Sequence, residues 1–551
     1  MKKILIFFGF VLLFTAGCET DQPVRKDRVI IGISSEPATL NPLFAYNLVE
    51  GQLIELMYLG LVKHNWDEEI SDIKTSPLIA EKWEWEADST TLTFYLKENI
   101  SWSDGKKLTA EDIVYSFDLY SDPEISSKFY GSFDNFFLEE NSHIDLSKSF
   151  EVLSPFKLKV KFKPDSKPTL FDVDMPIIPK HVFSKISKTN LKAESFSKDL
   201  VTSGPYTLTQ WRKNESITLK AAENSFLYND EMIKEIIFKI LPNEKARLTQ
   251  LKKQEVDLLE DVSSEYISEI QNLPFIKIVS RVGRDYDYLG WNNIDPQLYN
   301  KNKGITPNKF FGSKNVRIAL SHAINKEEIL NEYLQGYGKL CFGPVSPIFK
   351  SFYNYEIKAY TFNPAKASEL LKLEGWKDID NDGILEKNNQ KFSFKLYLMA
   401  ENNKRLNTAI VVQNNLKAIG IDMTIETIEM GSFVSKLFNR EFDAWLAGWT
   451  IPVPIDLKPY WYSDFEKSQF NISGFINKEA DELLDKLEIE KNQEQKKILY
   501  KKIQKVLHEN EPVTFLYWLD IKTAYNSRIK NIRIDPLGAI QHCWEWRIVQ
   551  N

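Results

Sequence analysis

Strand-like and helix-like patterns alternate along this whole chain, and that alternation constrains its fold most. Residues 91–97 place apolar side chains at 92, 94 and 96, the period of a half-buried strand. From Val316, apolar positions recur at helical spacing, and a second predicted helix has Pro364 at its first position and stops at Gly375. Interleaved elements of this kind favour α/β or mixed α+β domains over a helical bundle or a β-sandwich.

The length and net charge of the chain exclude some classes of function. The chain has 551 residues, the length of three or four domains at about 150 residues each. Its 70 Lys and Arg residues against 77 Asp and Glu give a formal net charge of −7, so no overall basic field favours nucleic acid as a partner. The three cysteines, Cys18, Cys341 and Cys543, are too few for a disulfide scaffold. We expect the last two to be free, buried thiols.

The N-terminus has the pattern of an export signal. Lys2 and Lys3 precede an apolar run over residues 4–14, followed by small residues and Cys18. A bilayer-spanning helix needs about 20 apolar residues, so this run is too short for a permanent span. The pattern resembles a bacterial lipoprotein signal, in which the cysteine becomes the lipidated first residue, although Thr15 replaces the usual leucine. We predict a signal peptide at 1–17, lipidation at Cys18 and a polar tether at 18–26, with ordinary secretion as the alternative.

Motifs of enzyme chemistry are missing from the sequence. It contains no Gly-x-Ser-x-Gly elbow, phosphate-binding loop, His-Glu-x-x-His or Cys-x-x-Cys motif. Its six histidines are dispersed, without the paired spacing of a transition-metal site. We therefore expect a protein that is not an enzyme. A secreted hydrolase remains an alternative on size alone.

One short segment resembles half of a calcium loop. Asp378, Asp380 and Asp382 supply oxygens at positions 1, 3 and 5, and Gly383 stands at position 6. Position 12 is Asn389, so the glutamate that completes such loops is missing there. Clusters of this composition also form plain turns, because their side chains bond their own backbone. The sequence leaves a structural calcium site and a polar turn both open, and it indicates no other cofactor.

Eight sequence blocks stand out along the chain. The most specific is WSDGKKLTAEDI at 102–113. The others are EPATLNP at 36–42, YLGLV at 58–62, LIAEKWE at 78–84, SGPY at 203–206, NVRIAL at 315–320, AINKE at 323–327 and GW at 448–449. In order and spacing, these blocks resemble those of the large periplasmic solute-binding proteins of peptide and nickel ABC transporters, extracellular solute-binding protein family 5.

The resemblance implies a two-lobe periplasmic-binding-protein fold of mixed α/β (α+β) class, with a hinge and an additional domain in the first lobe. Lobe I would comprise 27–62, 200–282 and 519–551, the additional domain 63–199, and lobe II 283–518. It further implies a monomer, exported and lipid-anchored, in the periplasm or on the outer face of the cytoplasmic membrane. Such a protein captures a small solute between its lobes and delivers it to permease subunits without a chemical step.

The ligand expected from the resemblance is an oligopeptide-like solute, although both charged anchors of the family's peptide binders are replaced. The aspartate that pairs with the peptide amino group is Pro452 here, and the arginine used for some ligand carboxylates is Leu446. Asp456 is the candidate substitute for the first. An oligosaccharide or a metal chelate is the alternative ligand. By position in the matching blocks, the predicted ligand-binding residues are Tyr46, Phe129, Tyr130, Tyr288, Met430, Phe433, Trp449 and Asp456.

Overall fold

The computed structural model describes residues 27–193, 200–400 and 402–549. The predicted signal peptide at 1–17, the lipidation site Cys18 and the tether at 18–26 lie outside the described residues. Strands and helices alternate through the described chain, which confirms the mixed α+β class.

Most strands are short, and two exceed ten residues. In chain order they are β1 (Arg28–Ile33), β2 (Val62–Asp67), β3 (Asp72–Pro77), β4 (Ala80–Trp85), β5 (Thr91–Leu96), β6 (Phe150–Ser154), β7 (Lys157–Lys161), β8 (Tyr206–Arg212), β9 (Ser216–Ala221), β10 (Glu235–Ile240), β11 (Leu258–Leu259), β12 (Ile276–Trp291), β13 (Gly338–Leu340), β14 (Glu386–Lys387), β15 (Gln390–Lys391), β16 (Ser393–Met399), β17 (Asp422–Ile428), β18 (Ala444–Thr450), β19 (Val513–Asn526), β20 (Ile529–Lys530) and β21 (Arg547–Ile548).

The helices pack on these strands. In chain order they are α1 (Leu48–Met57), α2 (Ala110–Ser121), α3 (Leu146–Ser149), α4 (Lys180–Phe183), α5 (Lys188–Ala193), α6 (Glu244–Lys252), α7 (Ser264–Ile270), α8 (Pro296–Asn302), α9 (Lys314–Ala323), α10 (Lys326–Glu328), α11 (Pro364–Leu373), α12 (Asn403–Lys417), α13 (Met430–Phe438), α14 (Lys458–Trp461), α15 (Lys478–Ile489) and α16 (Gln493–Asn510). A 3₁₀ turn lies at Leu170–Val173, a kinked 3₁₀ segment at Ile540–Glu545 and a π-helical turn at Ile329–Tyr333.

One large sheet runs through the molecule in the order β17-β16-β18-β12-β19-β11-β1-β10-β9-β8, with β13 also paired to β19. Its two central strands, β12 and β19, are antiparallel partners from Ile276 opposite Asn526 to Gly290 opposite Val513. One half of this ladder continues into β11 and β1, and the other half continues into β18 and β16. We call these halves, with the helices on them, the first and second lobe.

The lobes meet where the central ladder is irregular. The register of β12 against β19 shifts twice, between Val282 and Tyr286 and between Asp287 and Tyr288. A register shift leaves residues without ladder partners, and the strand bends there. Two continuous strands with two neighbouring irregularities are therefore the backbone connection between the lobes at this point.

A separate four-stranded sheet, β4-β5-β7-β6, lies on the first-lobe side and packs with α2. Its strand β5 confirms the strand predicted at 91–97. Its apolar face joins the core that also holds β1, β10 and the C-terminal Trp546. The domain boundaries given in the sequence analysis stay predictions.

The WSDG block has a structural role. Trp102 is fully buried, the Ser103 amide donates to the carbonyl of Thr202 (2.7 Å), and Gly105 has φ +86°, which glycine adopts readily. Thr109 and Asp112 form a capping box at the start of α2, as a helix beginning after Thr109 requires. The block ties the additional sheet to the segment around residue 202.

One further block, NVRIAL at 315–320, contacts the end of α16 through Arg317. The buried Arg317 guanidinium donates to the carbonyls of Phe311 (2.6 Å), Asn510 (2.9 Å) and Glu511 (2.8 Å). The last carbonyls of a helix have no partner within it, so this cation satisfies α16 from a different element. Helices α9 and α11 confirm the two helices predicted in this region.

Both described cysteines are buried and unpaired. Cys341 lies in the core of the second lobe and Cys543 in the core of the first. Burial raises the pKa of each thiol far above its usual range, because the thiolate is poorly solvated there. This agrees with the two free, buried thiols predicted from the sequence.

Candidate functional site

A cavity of about 510 Å³ lies where the first lobe faces the bend in the central strands. Most of its wall comes from α1, the turn that follows α1, the start of β2 and the C-terminal segment. Arg284, on the irregular part of β12, and Val453, after β18, complete it from the other side. The cavity therefore spans the junction between the lobes.

Helix α1 is fixed at its N-terminus by a buried carboxylate. Asn47 caps the helix in a capping box with Glu50. The Glu50 carboxylate accepts from the amides of Ala38 (2.7 Å), Tyr46 (2.8 Å) and Asn47 (3.1 Å). Glu50 thereby holds the preceding loop and leaves the Tyr46 side chain 70% exposed on the cavity wall.

Two carboxylates from distant segments face this cavity. Glu55 comes from α1, and Asp174 follows the 3₁₀ turn Leu170–Val173. The Asp174 side chain keeps 41% of its surface open, yet protein surrounds the cavity, and burial with the nearby Glu55 charge raises its pKa to about 7. The Glu55 side chain is likewise open to the cavity, and enclosure by the surrounding protein raises its pKa, while the charges of Lys63 and Lys128 lower it. Each carboxylate would gain from a further cation in the cavity.

Lys63 and Trp544 form part of the cavity wall. The Lys63 ammonium lies 3.7 Å from the centroid of the Trp544 ring and 2.9 Å from Nδ1 of His542. Burial lowers the pKa of Lys63 to about 7, against the opposing charges of Glu545 and Glu55. Both residues also line a second recess, of about 380 Å³. The Lys63–Trp544 pair therefore separates two adjoining spaces.

The hairpin β2–β3 connects this wall to the second lobe. Lys63 and His64 at its base line the cavity, while Trp66 further along packs edge-on against Phe349 at 5.6 Å between ring centroids. Phe349 belongs to the core of the second lobe. A change in the angle between the lobes would therefore displace the hairpin or break its contact with the second lobe.

Two of the aromatic residues predicted on the second lobe, Tyr288 and Trp449, belong to one closed cluster. Trp449 lies 5.2 Å from Tyr460 and 5.4 Å from Phe470, measured between ring centroids. Tyr288 accepts a hydrogen bond from Trp445 Nε1 (3.2 Å) in the same cluster. The space that these side chains enclose is about 10 Å³, the size of a single water molecule. In this conformation the aromatic side chains are packed against one another and leave no room for a solute between them.

The eight predicted ligand-binding residues are distributed over several places. Tyr46 and Phe129 line the main cavity, and Tyr288 and Trp449 lie in the aromatic cluster. The other four line none of the three spaces described above. Tyr130 donates its hydroxyl hydrogen to the Asn141 carbonyl, Met430 is exposed at the start of α13, Phe433 is buried beside Phe442, and Asp456 accepts from the Lys458 amide. The site assignments stay predictions.

The charged residues of the main cavity were missed by sequence reasoning. Glu55, Lys63 and Arg284 lie beside or between the matching blocks, so their positions carried a weak signal. Lys128 and Asp174 lie in segments without a matching block, and only the folded chain brings them to the cavity.

Two lobes joined by continuous strands, with a cavity at their junction that carries both apolar and charged side chains, are the architecture of a two-lobe solute-binding protein. The model of bacterial extracellular solute-binding proteins, family 5 Middle, matches residues 74–471, and the chain belongs to this family. Members of the family are solute-binding proteins rather than enzymes, and the class delivers solutes to the permeases of ABC transporters.

Two relatives match this chain over most of its length. The chain is 26% identical to the oligopeptide-binding protein AppA of Bacillus subtilis over 531 residues, which is 95% of this chain and 92% of that protein. It is 25% identical to the dipeptide-binding protein of Escherichia coli, with 85% of each covered.

Two solved structures extend this agreement. AppA of Bacillus subtilis in complex with a nonapeptide superposes with a TM-score of 0.72 at 25% identity, covering 95% of this chain and 99% of that one. NikZ of Campylobacter jejuni in complex with Ni(L-His) gives 0.72 at 26% identity, with the same coverage. These matches support the two-lobe fold class that the sequence predicted. Within the described residues, no helix is both long and apolar enough to span a membrane.

Proposed function

We propose that the solute is a short peptide whose amino group lies beside Glu55 and Asp174. The observation that supports this most is the placement of two carboxylates with raised pKa values on one cavity wall. A cationic ligand group would restore the charged form of both, because an opposite charge nearby favours ionisation. This assignment replaces the anchor lost at Pro452 with residues of the opposite lobe.

The names of the relatives also support a peptide as the solute. AppA of Bacillus subtilis is an oligopeptide-binding protein, and the Escherichia coli relative is a dipeptide-binding protein. Lys63, Lys128 and Arg284 on the same cavity are available to a ligand carboxylate or to peptide carbonyls. We further propose that the mature chain is a monomer, anchored through a lipid on Cys18, which performs no chemical step on its solute.

A metal chelate is a second candidate solute. NikZ was solved with Ni(L-His), and His64 lines the main cavity of this chain. Burial lowers the pKa of His64 to about 4, so its imidazole is neutral at pH 7 and can bind a metal. The thermal-stabilisation assay described below distinguishes the two candidate solutes when Ni(L-His) is tested beside the peptides.

The test is thermal stabilisation by matched peptides. A ligand that binds only the folded state stabilises it by RT ln(1 + [L]/Kd), so the melting temperature rises with concentration. We expect peptides with a free amino group to raise it and their N-acetylated forms not to. In Glu55→Gln, we expect the affinity for the free peptides to fall about 10- to 100-fold, since a hydrogen bond to a charged group is lost.

Glu111→Gln is the matched control, because Glu111 is an exposed carboxylate on α2 that pairs with Lys180. Its peptide affinity should equal that of the wild type. Equal affinity for free and acetylated peptides would refute the amino-group assignment. A response to Ni(L-His) alone would select the chelate.

The raised pKa of Asp174 predicts how stability depends on pH. The pKa is about 7 in the folded chain against 3.8 in the unfolded one, so the folded state binds more protons between these values. Stability contributed by this residue therefore falls as pH rises from about 4 to 7. We expect Asp174→Asn to be more stable than the wild type at pH 8, with a smaller difference at pH 5, in melting curves. The same difference at both pH values would contradict this assignment.

A further inference from the structure

The turn between α11 and β16 gathers four carboxylates from a short segment. Oxygens of Asp378, Asp380, Asp382 and Glu386 all lie within 4.8 Å of one another. The three aspartates are exposed, and each accepts a hydrogen bond from a backbone amide of the turn. A cluster of exposed acids is common on protein surfaces, so the decisive residue is the fourth.

Glu386 is buried and directed into this cluster. Only 6% of the residue is exposed, and its Oε2 accepts a hydrogen bond from the Ile379 amide (2.8 Å). Its Oε1 has no hydrogen-bond partner among the described residues. Buried polar atoms are nearly always bonded, and an exception points to an ion or water at that position.

The nearest cation in the structure is the ammonium of Lys391. It lies 3.1 Å from Asp380 Oδ2 and 3.8 Å from Glu386 Oε1, and it also contacts the Asp382 carboxylate. Lys391 reaches this position from β15, which pairs with β14 in a hairpin that places it opposite Glu386. One ammonium against four carboxylates leaves the cluster with a formal charge of −3.

We propose that this turn binds Ca²⁺, with Glu386 supplying the ligand that position 12 of the loop lacks. The cluster offers only carboxylate oxygens, the hard ligands that Ca²⁺ takes in six- to eight-fold, flexible geometry. The Lys391 side chain is 42% exposed, so its ammonium can turn toward solvent when the ion enters. The ion would fix the connection between α11 and β16, a structural role independent of the solute.

Calcium titration of the full-length protein tests this site. Extracellular calcium modules bind at about 0.1–1 mM, so we expect saturable binding in this range by calorimetry and a rise in melting temperature that the same concentration of Mg²⁺ does not reproduce. Glu386→Gln should weaken the affinity at least about tenfold, because it removes one charged ligand of the buried ion. Lys391→Met should bind Ca²⁺ more tightly than the wild type, because the competing ammonium is gone.

Lys395→Met is the matched control for loss of a surface lysine. Lys395 forms an exposed pair with Glu426 on the adjacent strands, and the calcium response of this variant should match the wild type. Equal stabilisation by Ca²⁺ and Mg²⁺ would overturn the proposal, as would a lack of binding by the wild type. If only Lys391→Met binds the ion, Lys391 is the resident cation and the native turn is not a calcium site.

Discussion

Replacing Asp287 with alanine is expected to destabilise the protein by about 3–5 kcal/mol, because it leaves a buried arginine without its partner. Asp287 lies in β12 with 1% of its surface exposed. Its Oδ1 accepts from Arg405 Nη2 (2.7 Å) and Nε (3.2 Å), and its Oδ2 accepts from the Tyr517 hydroxyl (3.3 Å). Chemical denaturation of the wild type and Asp287→Ala measures the loss.

A double-mutant cycle separates the ion pair from simple packing. Arg405→Ala should also be strongly destabilising, and the double variant should lose much less than the sum of the two single losses. The exposed pair between Lys395 and Glu426 is the control, since surface ion pairs contribute about 0–1 kcal/mol. A loss below about 1 kcal/mol in Asp287→Ala would show that the pair does not hold the second lobe together.

Gly204→Ala is expected to destabilise the first lobe by about 3 kcal/mol through a backbone clash. A Cβ atom at this position would lie 2.3 Å from the Leu56 carbonyl oxygen and 2.7 Å from the Met57 carbonyl carbon. The Gly204 amide also donates a hydrogen bond to the Met57 carbonyl (2.8 Å). The backbone at Gly204 therefore cannot move away from α1 without breaking that hydrogen bond. The C-terminal turn of α1 would have to move, and Glu55 moves with it.

Gly51→Ala in the same helix is the matched control. A Cβ atom there meets nothing within 4 Å, and alanine is favoured over glycine inside a helix by about 0.5–1 kcal/mol. We expect Gly51→Ala to raise the free energy of unfolding and Gly204→Ala to lower it, in the same denaturation assay. Equal effects of the two substitutions would contradict the close packing of Gly204 on α1.

Local patterns in the sequence predicted local structure well. The apolar alternation at 91–97 became β5, and the proline and glycine that bracket α11 mark its observed limits. These signals depend on neighbours in the chain, where periodicity and capping act directly. The order of the matching blocks added the two-lobe fold, because their spacing extends over the whole chain.

The candidate site was less predictable because it is assembled from distant segments. Glu55 and Asp174 are separated by more than a hundred residues, and neither belongs to a sequence motif. Glu386 occupies position 9 of the calcium-like loop, so a search at position 12 does not find it. Side-chain function of this kind depends on tertiary placement, which periodicity does not encode.

The unbroken central strands also determine how this protein can move. Hydrogen bonds along the β12–β19 ladder resist sliding of one lobe past the other, while the register shifts between Val282 and Tyr286 and between Asp287 and Tyr288 interrupt the ladder, as happens where a strand bends. Such a connection would favour rotation of one lobe relative to the other, so that solutes of different size would change the angle of rotation rather than its axis. A permease that contacts both lobes would then bind closed conformations that differ from one another only by a rotation of one lobe, whichever solute is bound.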